Sequence, residues 1–174
     1  MNEGATARRG GGDDRAWLAA GVLVGIGMGG FVDGIVAHQL LQLHSMLSNR
    51  VPRDTIVGLE INMVWDGLFH ACCWIVVALG LGMSWRALRG RASLPSGRSW
   101  VGAALIGWGI FNLVEGIVDH HLLELHHVHQ LGNHLLWDLA FLASGVVLAV
   151  LGWAVVRSSP PRGGGAVQPE GARA

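Results

Sequence analysis

One stretch of this chain is written twice, which limits the fold to something built from two like halves. Phe31-Val-Asp-Gly-Ile-Val-Ala-His-Gln-Leu-Leu-Gln-Leu-His44 returns 82 positions later as Leu113-Val-Glu-Gly-Ile-Val-Asp-His-His-Leu-Leu-Glu-Leu-His126. A shorter echo follows each copy, Asn62-Met-Val-Trp-Asp66 and His134-Leu-Leu-Trp-Asp138. Internal repetition sets architecture before local propensity does. What repeats is polar: a carboxylate (Asp33, Glu115), two histidines (His38 and His44, His120 and His126) and a Trp-Asp pair.

The surroundings of these polar groups are apolar. Of 174 residues, 51% are hydrophobic and 14% charged, too apolar for a water-soluble domain of this size. Segments 17–32, 67–85, 100–114 and 139–156 contain no charged residue. The second and fourth have the length of a membrane span. The first and third reach it by continuing through their acidic residue into the apolar run beyond. All four are apolar around the whole helix rather than along one stripe, which a water-exposed helix cannot tolerate. The expected fold is therefore all-α: a polytopic membrane four-helix bundle, up-down-up-down, made of two tandem two-helix repeats. The repeats cover 16–86 and 98–157 of a membrane domain at 16–157. Residues 1–15 and 158–174, rich in Gly, Pro and Arg, read as disordered tails. Two helices per unit send both halves into the bilayer in the same direction, so the pseudo-two-fold runs along the membrane normal.

Charge placement gives the expected orientation. Every basic residue is arginine: Arg8, Arg9 and Arg15 precede the first span, and Arg86, Arg89, Arg91 and Arg98 separate the second from the third. Arg157, Arg162 and Arg173 follow the fourth, and only Arg50 and Arg53 lie on the other side. Both termini are thus expected in the cytoplasm of a cell with this as its inner membrane. Trp17, Trp85, Trp100 and Trp153 mark the cytoplasmic ends as an interfacial belt. The first helix reads as a retained signal anchor, and the arginine-only, Ala- and Gly-rich usage suggests a bacterial source of high GC content. A net charge of zero without a basic stretch argues against nucleic acid as a partner. No nucleotide loop, nucleophile elbow or zinc-protease helix is present in the sequence.

Measured from the tryptophan belt at 1.5 Å per residue, Asp33, Asp66, Glu115 and Asp138 all lie about 22–28 Å away. His38, His70, His120 and His134 fall about 22–31 Å from the same belt. That level is near the far edge of a hydrocarbon layer about 30 Å thick. An isolated carboxylate there costs several kcal/mol, and four facing one another cost more unless protons or a cation neutralise them. Oxygen and nitrogen ligands converging from facing helices would do so by binding metal. The bland alternative is a hydrogen-bonded polar cap of paired His and Asp.

Helical phase supports part of the metal reading. Asn62, Asp66 and His70 share a face, as do His134 and Asp138. His44 and His126 share the phase of Asp33 and Glu115 but lie about 16 Å further out, at a second, more exposed level. His38 and His120 point about 140° from those carboxylates, so one metal can use both only if the helix deforms. His121, His127 and His129 have no repeat counterpart and read as surface residues. Cys72 and Cys73 read as packing residues, with a soft copper ligand as the lesser reading.

The Asp-Gly-Ile-Val-x-His-x-Leu-Leu-x-Leu-His and Trp-Asp-Gly-Leu-Phe-His motifs resemble an uncharacterised family of small bacterial membrane proteins, a domain of unknown function with four spans. The resemblance covers about residues 16–157. It implies a respiratory or copper-related role, because such proteins are often encoded beside copper-delivering oxidase assembly factors.

The expected function is a membrane protein with a metal site open to the extracytoplasmic side, handling metal during maturation of a respiratory oxidase. Its expected core ligands are Asp33, Asp66, His70, Glu115, His134 and Asp138, with His38, His120, His44 and His126 as additional or entry ligands. Copper, iron and zinc are the candidate ions. The expected partners are the lipid bilayer and oxidase assembly proteins. Two rivals are a diiron-type oxidoreductase, weakened by the lack of a Glu-x-x-His pair, and a haem b protein with paired axial histidines.

Overall fold

The computed structural model describes residues 3–89, 95–130 and 132–159. It is all-helical among those residues. Helix α1 (Glu3–Val32) runs on without a break into a π-helical segment, Asp33–Leu40. Helix α2 is Ile56–Leu88, and α3 (Gly97–Glu115) continues into a second π-helical segment, Gly116–Leu122. Helix α4 is His134–Arg157. Helix α1 thus begins inside the stretch expected to be an N-terminal tail, and residues 160–174 of the expected C-terminal tail lie outside the described residues. Four segments are long and apolar enough to cross a membrane: Asp14–Leu40, Ile56–Leu88, Gly97–Leu122 and His134–Arg157.

Side-chain caps start the later helices. Thr55 Oγ1 accepts from the Gly58 amide, Ser96 Oγ from Ser99, and Asn133 Oδ1 from Leu136. Each satisfies one of the amides that a helix start leaves without a partner. At the arginine-rich end, Trp17 Nε1 donates to the Ser96 carbonyl at 3.1 Å and Trp100 Nε1 to Ser84 Oγ at 3.0 Å. Arg89 and Arg157 lie over the rings of Trp85 and Trp153, a favourable cation–π placement.

Helix directions follow from which residues meet. Gly21 faces Trp100 and Ala103, Gly25 faces Ala104, and Gly29 faces Trp108 and Phe111, so α1 and α3 run parallel. Gly27 meets Cys73 and Val77 while Val24 meets Gly80, which makes α2 antiparallel to α1. Gly109 meets Gly145 and Ala149 while Gly102 meets Gly152 and Val156, which makes α4 antiparallel to α3. The up-down-up-down bundle is therefore present. Its two inner helices, α1 and α3, pack on each other; α2 packs on α1 and α4 on α3, while α2 and α4 do not touch.

The contacts repeat with the sequence. A Cβ added to Gly25 would land on the Ala104 carbonyl, and one added to Gly107 would land on its counterpart, the Val22 carbonyl. Membrane helices lack a hydrophobic drive between them, so small residues that let backbones touch supply the packing. The interior is accordingly inverted relative to a soluble protein. Its buried apolar members are small (Ala20, Val24, Cys73, Ala103), while Leu79, Leu81, Trp74 and Leu151 are exposed at the outer faces of α2 and α4. Replacing Gly25 or Gly107 by Ala should lower the apparent Tm in mild detergent by roughly 5 °C or more. Gly82→Ala, where an added Cβ meets nothing within 4 Å, should not lower it in the same thermal-shift measurement.

Candidate metal centre

Beyond the two π-helical segments the chain reverses instead of continuing outward. Leu41 donates to the Val36 carbonyl and Leu43 to Ala37; Leu123 and Leu125 make the equivalent bonds to Val118 and Asp119. The reversals pass through Gln42 (φ 50°) and Glu124 (φ 47°), which occupy equivalent repeat positions in the left-handed region, a conformation uncommon for a residue with a Cβ. This folding back carries His44 and His126 into the bundle, where each is 0% exposed. The expectation that they form a second, more exposed level does not hold, because α-helix gives way to π-helix after Val32 and Glu115 and helix of any kind ends at Leu40 and Leu122.

The π-helical segments decide where His38 and His120 point. An α-helix would set them about 140° from Asp33 and Glu115; a π turn closes between i and i+5, so residues five apart stack on one side. His38 Nε2 lies 3.0 Å from Asp33 Oδ2, and His120 Nε2 lies 3.9 Å from Glu115 Oε1. His44 Nε2 is 3.9 Å from Asp33 Oδ2, and His126 Nε2 is 3.4 Å from Glu115 Oε1. Each half of the chain so groups one carboxylate with two imidazoles. The halves meet where His44 and His126 stack, ring centroids 4.6 Å apart and 6° from parallel.

The other imidazole nitrogens are held from outside. His38 Nδ1 bonds Asp66 Oδ1 at 2.9 Å, and His120 Nδ1 lies 3.5 Å from Asp138 Oδ1. His44 Nδ1 donates to the Val128 carbonyl at 2.9 Å and His126 Nδ1 to the Met46 carbonyl at 3.1 Å, so each half orients a ring of the other. Asp66 and Asp138 are themselves fixed by the amides of Met46 and Val128, at 2.8 and 3.0 Å. Burial, reinforced by the neighbouring imidazoles of His44, His120 and His38, holds His126 well below the usual histidine range. Its ring therefore presents a lone pair rather than a proton at neutral pH.

Three overlapping sets bring their ligand atoms within 4.8 Å of one another: His38, His44 and His126; Glu115, His120 and His126; Asp33, His38 and Glu115. Of the ten residues expected at the metal, six thus converge: Asp33, His38, His44, Glu115, His120 and His126. Asp66 and Asp138 stand behind His38 and His120. His70 and His134 do not join the group. His70 stacks on Phe31 at 6.0 Å and faces Gly34. His134 bonds the His129 carbonyl through Nδ1 and stacks on His127 at 5.0 Å. Both share a helix face with their Trp-Asp aspartate, but the imidazoles folded in from the loops occupy the inner positions. Cys73 packs beside Gly30 and Cys72 is exposed, and neither belongs to these sets.

Some supporting residues were not evident from the sequence. His127, read as a surface residue, bonds Asp138 Oδ2 at 2.8 Å, and Gln39 bonds Asp66 Oδ2 at 3.3 Å. Met46 and Val128 act through backbone alone; only their matching repeat positions could have pointed to them.

These features define an integral membrane protein whose buried core holds a histidine and carboxylate cluster able to bind metal. The chain belongs to the family described as "Predicted membrane protein (DUF2243)", whose model matches residues 20–159. No curated protein and no solved structure matches it. The cluster's burial has a chemical consequence. A histidine-acylating reagent should modify His121 and His127 in the detergent-solubilised protein and spare His38, His44, His120 and His126, as read by peptide mass spectrometry.

Proposed function

We propose that this protein is a membrane metalloprotein with a resident centre of about two first-row metal ions, each bound by a two-histidine, one-carboxylate set. The sets are Asp33, His38 and His44, and Glu115, His120 and His126, with Asp66 and Asp138 orienting a ring in each half. One observation carries the reading. Buried Glu115 Oε2 and the Nε2 atoms of His44 and His120 have no hydrogen-bond partner, while His38 Nε2 and Asp33 Oδ2, 3.0 Å apart, have only each other. A polar cap would leave the first three unsatisfied, at about 1–3 kcal/mol each, whereas metal coordination would satisfy them together. A carboxylate or carbonyl on the far ring nitrogen is what metal-bound histidines use to fix tautomer and orientation.

Such ligand sets with open positions suit iron foremost. The chemistry that iron would supply is oxidation and reduction, which puts a non-haem oxidoreductase ahead of the other readings. Haem b fits less well, because His44 and His126, a repeat-related axial pair, stack face to face with centroids 4.6 Å apart, leaving no slot for a macrocycle between them. Metal handling for maturation of a respiratory oxidase is the second reading, favoured by the polar cavity beside His120 on the loop side. Complete burial of His44 and His126 favours a centre that keeps its metal. The arginine distribution supports a cytoplasmic-membrane protein with both termini inside and the centre toward the outer face. A cysteine put in place of Asn49 should then react with a membrane-impermeant thiol reagent added to intact cells.

Elemental analysis of the protein purified in mild detergent tests the centre directly. Native protein should carry about two equivalents of metal per chain, and the double variant Asp33→Asn, Glu115→Gln should carry almost none. Asp66→Asn should still bind but with affinity roughly 10- to 100-fold lower. Native protein that takes up no first-row metal would end the proposal.

A further inference from the structure

The cluster has a histidine-lined neighbour in the second half of the chain. A cavity of about 400 Å³ lies at the loop end, lined by His120, His121, Glu124, His127, His134 and Asp138 among others. Three of these histidines are held through Nδ1 just as His38, His44 and His126 are. His121 Nδ1 bonds the Gly116 carbonyl at 2.7 Å, His127 Nδ1 bonds Asp138 at 2.8 Å, and His134 Nδ1 bonds the His129 carbonyl at 2.8 Å. With Nδ1 as the donor in each, Nε2 keeps its lone pair. His120 forms the cavity's inner wall; its side chain is 1% exposed and makes no hydrogen bond from either nitrogen. Asp138 links the two layers, bonding His127 on one side and lying 3.5 Å from His120 on the other.

We propose that this cavity is the entry vestibule through which a hydrated divalent cation reaches the inner centre. The proposal rests on the metal centre described above. Glu124 and Asp138 supply negative charge to attract the ion, and the imidazoles exchange for its water one at a time. Unlike the inner six residues, His121, His127 and His134 do not bring three ligand atoms within 4.8 Å of one another. A loose set of this kind binds weakly and releases, as a transit site must. The other half replaces His121 and His134 by Gln39 and Asn62 at the matching positions. Asn62 there is 1% exposed and spent on Leu47, Val51 and Gly58, and the cavity of about 380 Å³ on that side, lined by Gln39, Met63 and His70 among others, reaches none of the six cluster residues.

Chelator-stripped full-length protein in mild detergent, mixed with Co²⁺ as a coloured probe, tests this by the rate at which its absorption develops. The variant His121→Gln, His127→Gln, His134→Gln should load roughly tenfold more slowly than native protein and reach the same final Co²⁺ content. A second variant, His121→Gln with His134→Gln, leaves the His127–Asp138 bond intact and should also load slowly, which covers the case in which the triple variant misfolds. Loading at the native rate overturns the vestibule while leaving the centre standing. A fall in final content without a change in rate overturns it too, since these residues would then be retaining ligands. If native protein binds no Co²⁺, the centre fails and the vestibule with it.

Discussion

A carboxylate and an imidazole five residues apart cannot share one face of an α-helix, and the architecture turns on that mismatch. At 100° per residue the two diverge by about 140°. The chain meets the constraint twice by winding Asp33–Leu40 and Gly116–Leu122 as π-helix, in which the fifth residue returns to the starting side. Such winding is rare and less favourable than α-helix. Here it brings His38 Nε2 to 3.0 Å from Asp33 Oδ2 and His120 Nε2 to 3.9 Å from Glu115 Oε1, inside one buried cluster. Moving His38 or His120 by one residue would remove the reason for the deformation and the site together.

The second constraint is that neither half can complete the site alone. His44 is oriented by the Val128 carbonyl and His126 by the Met46 carbonyl, so each half lends the other a backbone acceptor. That exchange needs the parallel helices α1 and α3 in contact near the axis. Gly25 and Gly107 provide it by letting the two backbones touch where any side chain would hold them apart. The glycine contact and the carboxylate of each half are only 8 residues apart, Gly25 to Asp33 and Gly107 to Glu115, or about 12 Å of helical rise.

Much of this was legible in the sequence because it was written as period and repetition. Charge-free segments gave the spans, the arginines and tryptophans marked helix ends, and the duplicated motif gave the two-fold axis and singled out Asp33, Glu115 and the four paired histidines. The depth of the carboxylates followed from helical rise alone. What the sequence did not disclose was where regular helix stops. Gln42 and Glu124 carry no glycine-like signal, yet they turn the chain back. Extrapolating α-helix past Leu40 and Leu122 therefore put His44 and His126 outside when they are at the centre. Sharing a helix face with Asp66 and Asp138 suggested inner positions for His70 and His134, which the imidazoles of the reversed loops fill instead. Phase along a helix locates a residue only while the helix lasts.

Duplication followed by divergence then explains why two similar halves are not two equal ones. In the first half the supporting bond is tight, His38 to Asp66 at 2.9 Å, and Asn62 seals the adjacent loop. In the second half His120 stands 3.5 Å from Asp138, and the space around it remains open and lined with imidazole. Glu115, one methylene longer than Asp33, reaches closest to His126, whereas Asp33 reaches closest to His38. Two ions held in such unequal surroundings would differ in exchange rate and in reduction potential, the outer-shell contacts being what tune both. A symmetric pair has no preferred direction for an ion or an electron. His134 in place of Asn62 and His121 in place of Gln39 break the symmetry of the two halves, and only the second half's cavity is lined by several imidazoles and reaches the cluster.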